Sequence, residues 1–348
     1  MINMKSYVDL LRLYLYDKTG AGKVLPARVN PFRSSIRLTE RCNSRCTTCG
    51  YWKKEWEDRI STEKAIDVIK QLKDLGVKRL RFTGGEPLLR EDLFNILKEI
   101  DTLRFEKITL ATNGILLDKY YKEINNSCLT DLGVSIDGLA EVNDKIRGIP
   151  GGFERVMDSL KLIQGKRITI MSTLSSYLAK DLEGLFALIE EKKLLWDMNL
   201  PDNRPYFLKD VDIDDFWPLP AEVDAILEAI NRNIGKPFMK RISKSQLDYT
   251  EKYLKKEKLE EVPCFLGYTD IDIDSEGRVY SGCYVLPEIG NILDDDLKTT
   301  ISRGSYNERL RSMLDRNCPG CNCGYELNLI VQNLPSRFLK SILGRGRK

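Results

Sequence analysis

Ser35-Ile36-Arg37-Leu38-Thr39 runs through Glu40-Arg41 into Cys42-Asn43-Ser44-Arg45-Cys46-Thr47-Thr48-Cys49. The first five residues alternate polar and apolar, the pattern of a strand, so the three thiols are expected on the loop that leaves it. Separated by three and then two residues, they can converge on three irons of one [4Fe-4S] cube and leave the fourth iron for a non-protein ligand. A zinc site normally takes a fourth protein ligand nearby, and histidine cannot supply it because the 348-residue chain contains none. The same lack of histidine leaves any acid or base work to carboxylates, Tyr, Lys, Cys or water.

Downstream of the loop the chain predicts a repeating alternation of helix and strand. Ser61 is an N-cap candidate for a helix with Ala65, Ile66, Ile69 and Leu72 on its apolar face, ending at Gly76. Then come strand Val77 to Phe82, helix Glu91 to Ile100, strand Phe105 to Leu110, helix Leu116 to Ile124 and strand Leu129 to Ile136. Helix Gly152 to Ile163, strand Ile168 to Ser172, helix Leu178 to Glu190 and strand Leu194 to Leu200 complete six strands. This spacing predicts an α/β fold, a partial (β/α)6 barrel of parallel strands with right-handed crossovers. Two further units, needed for a closed eight-stranded barrel, do not follow Pro201 cleanly. That region carries Pro205, Pro218 and Pro220 and an acidic run with Asp210, Asp212, Asp214 and Asp215, then helical patterning at Ala221 to Asn231 and Gln246 to Leu259.

The C-x3-C-x2-C loop is followed in order by Gly84-Gly85-Glu86-Pro87, Thr112-Asn113-Gly114 and Ser135-Ile136-Asp137-Gly138. With these pieces, over roughly Ile36 to Tyr325, the chain resembles the radical S-adenosylmethionine (SAM) enzymes. The resemblance implies that Cys42, Cys46 and Cys49 hold the radical-generating cluster and that SAM chelates its open iron. One electron from the reduced cluster then splits the sulfonium, and the resulting 5'-deoxyadenosyl radical takes a hydrogen atom from substrate. It places Gly84, Gly85 and Glu86 beside the methionine moiety and Ser135, Asn113 and Asp137 at the ribose and amino-acid end. Arg147 is a second candidate for the methionine carboxylate, since a guanidinium meets a carboxylate in a two-bonded fork. The residue before the third cysteine, often aromatic in that family, is Thr48 here, a departure that bears on adenine packing and not on ligation. Asp197 and Asn199, with Met171 and Thr173, are the substrate-side candidates. Cys128 starts a strand at the end away from the site and reads as an inert core thiol.

From Pro263 the pattern changes to two short strands, Tyr268 to Ile273 and Arg278 to Ser281, joined by Asp274-Ser275-Glu276-Gly277, a hairpin by its turn residues. Cys264 and Cys283 bracket it, and Cys318, Cys321 and Cys323 follow. The arrangement resembles the twitch domain, the shorter relative of the SPASM domain, and implies a second, auxiliary [4Fe-4S] cluster. The C-x2-C spacing assigns Cys264, Cys283, Cys318 and Cys321 as its ligands, with Cys323 in place of Cys321 as the alternative. The expected organisation is an N-terminal helix and linker over 1–33, the partial barrel over 34–235, a helical linker over 236–262, the twitch-like domain over 263–326 and a basic amphipathic tail over 327–348.

Charge is nearly balanced, 55 Lys and Arg against 52 Asp and Glu, so nucleic acid is not the expected partner. Eight of the nine cysteines fall in two spaced groups, no secretory signal is seen and no apolar run is long enough to span a bilayer, which points to the reducing cytoplasm. The expected partners are a small-molecule substrate and an external one-electron donor such as flavodoxin or ferredoxin. The basic tail is read as a packed terminal helix or as a weak contact with an anionic membrane. The expected activity is oxidation or related C–H remodelling of a small metabolite, the auxiliary cluster accepting the electron left on the substrate radical. Peptide maturation or epimerisation is the rival within catalysis, with Cys323, if free, returning a hydrogen atom. A non-catalytic iron–sulfur carrier or regulatory protein is the rival outside it.

Overall fold

The computed structural model describes residues 12, 15, 31–53, 55–201, 214–240, 242–257, 264–284 and 286–314. Cys318, Cys321, Cys323, Asp210, Asp212, the 327–348 tail and, apart from Arg12 and Leu15, residues 1–30 of the expected N-terminal helix and linker lie outside these residues.

Six parallel strands form the barrel wall: β1 (Arg33–Thr39), β2 (Arg79–Gly84), β3 (Lys107–Thr112), β4 (Asp131–Ser135), β5 (Arg167–Thr173) and β6 (Leu195–Asn199), each hydrogen-bonded to the next in chain order. Helices return the chain between them, as parallel pairing requires. The first, Thr62–Asp74, starts where the Ser61 hydroxyl accepts the Lys64 amide at 3.2 Å and buries Ala65, Val68, Ile69 and Leu72. It stops at Gly76, whose φ of +99° suits a residue without a side chain.

Alternation along each strand separates two environments. Leu80, Phe82, Ile108, Leu110, Leu132 and Val134 point outward to the helices and are all but fully buried. Trp196 is 0 % exposed, packs edge-on against Phe186 with ring centroids 4.8 Å apart and gives its indole N–H to Ser172 Oγ at 3.1 Å. The inward positions are instead largely polar, including Arg37, Arg81, Thr109, Thr169 and Asp197.

The predicted helix from Leu178 splits in two: Ser175 caps a short helix at Ser176–Ala179, and the longer one runs Leu182–Glu191. The helix expected to reach Leu259 spans Lys244–Leu254, its chain then turning at Lys256 with φ +55°. A helix at Ala140–Arg147 was not visible in the pattern, because only Asn143 and Ile146 on it are buried. The hairpin forms as expected, but Leu266–Thr269 is helical, so its first strand, β7, spans only Asp270–Ile273. β7 lies parallel against β1, while β8 (Arg278–Tyr280) and β9 (Gly290–Asn291) add antiparallel strands, which makes one nine-stranded sheet. Helices Leu297–Ser302 and Gly304–Leu314 cover this extension. Among the described residues, no helix is long and apolar enough to cross a membrane.

Candidate active site

The cysteine loop is held from three sides at the C-terminal ends of the strands. Behind it, the glycine turn after β2 packs against the chain leading into the loop: Gly85 N donates to Thr39 O at 3.0 Å and Glu86 N to Arg41 O at 2.8 Å. A Cβ on Gly85 would lie 2.1 Å from Arg41 O, and one on Gly84 2.0 Å from Thr39 O. Both glycines are therefore required by close backbone approach. On the second side, Asn113 directs its amide N–H group to Asn43 Oδ1 (2.7 Å), Ser44 Oγ (2.8 Å) and Cys42 Sγ (3.8 Å). On the third, the end of the Ala140–Arg147 helix accepts the Thr47 amide at Ile146 O and the Arg45 amide at Arg147 O.

Arg147 carries this bracing to the thiols. Its Nη1 lies 3.9 Å from Cys46 Sγ and its Nη2 2.5 Å from Asp137 Oδ2. Asp137 is 1 % exposed and accepts the Thr173 amide on Oδ1 at 2.7 Å. The ion pair thus joins the ends of β4 and β5 to the cysteine loop. Arg147 Nε and Asp137 Oδ2 are buried without a hydrogen-bond partner among the described residues, the charge contact on Oδ2 being off the hydrogen-bonding direction. Arg147 Nε, with no acceptor among the described residues, is a place for a further polar ligand atom at the mouth.

Glu86 is 0 % exposed and its carboxylate is held inside the protein: Oε1 accepts from Leu88 N (3.0 Å) and Thr112 Oγ1 (2.8 Å), Oε2 from Asn113 N (2.7 Å). Burial pushes it up to about 7 against those three hydrogen bonds. It locks the glycine turn to the end of β3 and so sets where Asn113 stands. Glu86→Ala is expected to leave the Asn113 and Leu88 amides unpaired and destabilise the fold by about 1–3 kcal/mol, along with any weakening of SAM binding. A chemical denaturation curve matching wild type would show that this bridge adds nothing.

Tyr51 and Trp52 serve packing. Trp52 Nε1 donates to Cys46 O at 3.0 Å, and Tyr51 is buried with its hydroxyl taken by Arg37. Arg37 also faces Glu40 at 3.5 Å and lies 3.7 Å over the ring of Tyr284. It joins the segment after Cys49 to the segment after Cys283. Gly282, next to Cys283, turns at φ +68° so close to the short helix that a Cβ there would meet Leu266 O at 3.2 Å. Cys264 and Cys283 accordingly approach one end of the extension.

Ser135 stands half-buried at the end of β4 beside Met171. Asp197 pairs with Lys240, and Asn199 is exposed at the end of β6. Cys128 is held away from this end, its Sγ 3.1 Å from Leu97 O and its thiol pushed up to about 11 by burial. The inward charges Arg37, Arg81, Asp272 and Lys240 were not singled out from sequence, although Arg79-Leu80-Arg81-Phe82 alternates charge with core residues.

Asp272 on β7 is 7 % exposed and accepts the Ser35 amide at 2.9 Å. Burial, reinforced by Asp270 and opposed by Arg37 and the Ser35 amide, pushes its carboxyl up to about 6. A folded value above the unfolded one means that stability is lost as pH rises from about 4 to about 6. Asp272→Asn should remove that loss, leaving the variant more stable than wild type at pH 8 by up to about 2–3 kcal/mol, with no such gain below pH 4. Urea unfolding at the two pH values checks this, and an equal difference at both would refute it.

The three thiols fit a cluster. They share one loop close enough for each to act electrostatically on the others, and burial pushes Cys42 and Cys49 up to about 11 and Cys46 upward, so only cation binding makes them thiolates. Among the described residues there is no tight group of three His, Cys, Asp or Glu for a single ion; a cube bound at three separate irons needs its thiols spread apart.

Residues 36–181 match the family model "Radical SAM superfamily". Residues 36–181 thus form a radical SAM domain, and the C-terminal strands and helices have the fold of the SPASM/twitch-like extension. Over 123 residues it is 42 % identical to a "Probable GTP 3',8-cyclase" of Archaeoglobus fulgidus, covering 34 % of this chain and 39 % of that relative. Over 165 residues it is 34 % identical to the "Fe-coproporphyrin III synthase" of Methanosarcina barkeri, covering 45 % and 40 %. The chain thus spans about two fifths of the length of these curated relatives. In fold it is similar to Streptococcus suis SuiB bound to S-adenosylmethionine, with TM-score 0.62, 18 % identity and 80 % and 68 % of the two chains covered. It is also similar to anSMEcpe with bound AdoMet, with TM-score 0.60, 19 % identity and 82 % and 84 % covered.

Proposed function

We propose that this protein is a SAM-dependent radical oxidoreductase acting on a small organic molecule. The observation that carries this is the cysteine loop, with three thiols on one turn and both Asn113 and Arg147 directing N–H groups at them. Cys42, Cys46 and Cys49 would hold a [4Fe-4S] cluster, whose chemistry would be the one-electron reductive cleavage of SAM that yields a hydrogen-abstracting radical. Arg147 places positive charge 3.9 Å from Cys46 Sγ and would lower the cost of added negative charge on a cluster held there. Asp137, fixed by the Thr173 amide, holds Arg147 there. Asn113, Ser135 and Asp137 are assigned to the SAM-facing rim with the Gly84-Gly85 turn, Glu86 acting from beneath by fixing that turn and Asn113, and Asp197 and Asn199 are assigned to the substrate side. Cys264 and Cys283, with Cys318 and Cys321, are assigned to an auxiliary [4Fe-4S] cluster that would accept the substrate electron, with Cys323 in place of Cys321 as the alternative.

Relatives named for GTP and Fe-coproporphyrin III support a small-molecule substrate. An external reductant is the remaining partner. Anaerobically reconstituted protein with SAM and dithionite should release 5'-deoxyadenosine. Bound iron with no such product would place the protein among iron–sulfur carriers instead.

A further inference from the structure

Arg81 differs from the other charged groups inside the barrel. It lies on the inward face of β2, level with Ser35 and, through it, Asp272 on one side and with Thr109 on the other. Asp197, Asp272, Tyr284 and Arg37 all act on it electrostatically, and the surrounding protein makes its charge costly. Solvent nevertheless reaches the side chain, which is exposed. A guanidinium ringed by protein yet wetted stands in a hollow, and on the β3 and β4 side the inward residues above it, Ala111 and Gly133, are small.

Among the described residues, the other cations of this interior are engaged. Arg37 holds Glu40 and Tyr51, Lys240 holds Asp197, Lys107 and Arg167 hold Asp131, and Arg33 holds Asp270. Arg79 opens at the opposite end of the sheet, on a cavity of about 440 Å³ shared with Glu106, Lys107 and Arg167. Arg81 makes no hydrogen bond or ion pair with any described residue. Five N–H donors with no acceptor among the described residues, inside a hollow, are an incomplete site.

We propose that Arg81 is the anion-recognition residue of the substrate cavity, so that the substrate is a small molecule carrying a carboxylate or a phosphate. Four strand residues, about 13 Å of rise, separate the Arg81 level at Thr109 from Asn113 beside the cysteine loop. An anion held at Arg81 leaves the rest of the molecule pointing up the lumen toward that loop. The carbon that loses hydrogen is thus remote from the charged group. The choice of reacting end rests on the radical chemistry proposed above; the anion site itself does not.

Full-length reconstituted protein is treated with phenylglyoxal, which modifies accessible guanidiniums, and adducts are mapped by peptide mass spectrometry with and without inorganic phosphate, pyrophosphate, succinate or glutarate. Arg81 should be modified and then protected by the matching anion. Protection by the phosphates alone assigns a phosphate, protection by the dicarboxylates alone assigns a carboxylate, and protection by both supports their shared chemistry. Calorimetric affinity for the protecting anion should fall about tenfold or more in Arg81→Gln and less in Arg81→Lys. An unmodified Arg81, an adduct that no anion prevents, or Arg81→Gln with wild-type affinity overturns the proposal. If the variants fail to fold, the wild-type protection pattern still decides it. Release of 5'-deoxyadenosine by wild type, assayed without the added phosphates and dicarboxylates, reports separately on the radical chemistry.

Discussion

Replacing Cys42, Cys46 and Cys49 together with alanine is expected to lower reconstituted iron from about eight atoms per chain to about four and to abolish cleavage of SAM. The first number follows from the proposed pair of clusters. The second follows from the placement of the loop, because Asn113 and Arg147 converge on these thiols and the described residues offer no other cysteine group at this end of the barrel. Buried thiols pushed well above neutrality do not ionise unaided, so losing the ligands loses the metal and not just its tuning. Iron analysis with product chromatography measures both outcomes. Retained 5'-deoxyadenosine would remove this loop from the chemistry, while iron falling below about four would show that the C-terminal cluster depends on it.

Gly85→Ala is expected to be nearly as damaging without touching a ligand. The added methyl would sit 2.1 Å from Arg41 O and 2.4 Å from Glu40 O, and backbone at both places cannot yield as a flexible side chain would. Either the glycine turn or the cysteine loop must move, which breaks the Glu86 N to Arg41 O bond and shifts Cys42 relative to Asn113. A loss of about 4 kcal/mol or more is expected, with iron content falling in parallel. Gly76→Ala is the control: its φ of +99° is strained for alanine, but nothing lies within 4 Å of the added methyl, so about 1–2 kcal/mol is expected. Thermal unfolding of the two variants should therefore separate widely, and similar midpoints would show that the close approach at Gly85 is not rigid.

Much of the site's outline was legible locally. Thiol spacing, the alternation of strands and helices and polar residues at strand ends are properties of neighbouring residues, and each survives in the structure with boundaries shifted by a few positions. The helix at Ala140–Arg147 was not legible, because its core contribution is two residues and its main role is to meet the cysteine loop from outside.

By itself the sequence determined the three-cysteine loop after the first strand, the parallel β/α repeat and the hairpin near the C-terminus, since spacing, periodicity and turn composition act over a few residues. The tertiary structure alone decided that β7 pairs with β1 across some 230 residues of chain and makes the hairpin part of the barrel sheet. It also decided that Arg147 is joined to Asp137 and Cys46, that Glu86 is sealed beneath Asn113, and that Arg37 takes acceptors while Arg81 faces solvent-filled space. These are outcomes of register and closure: which inward side chains meet depends on how far each strand is offset from its neighbour, and no local pattern encodes that offset.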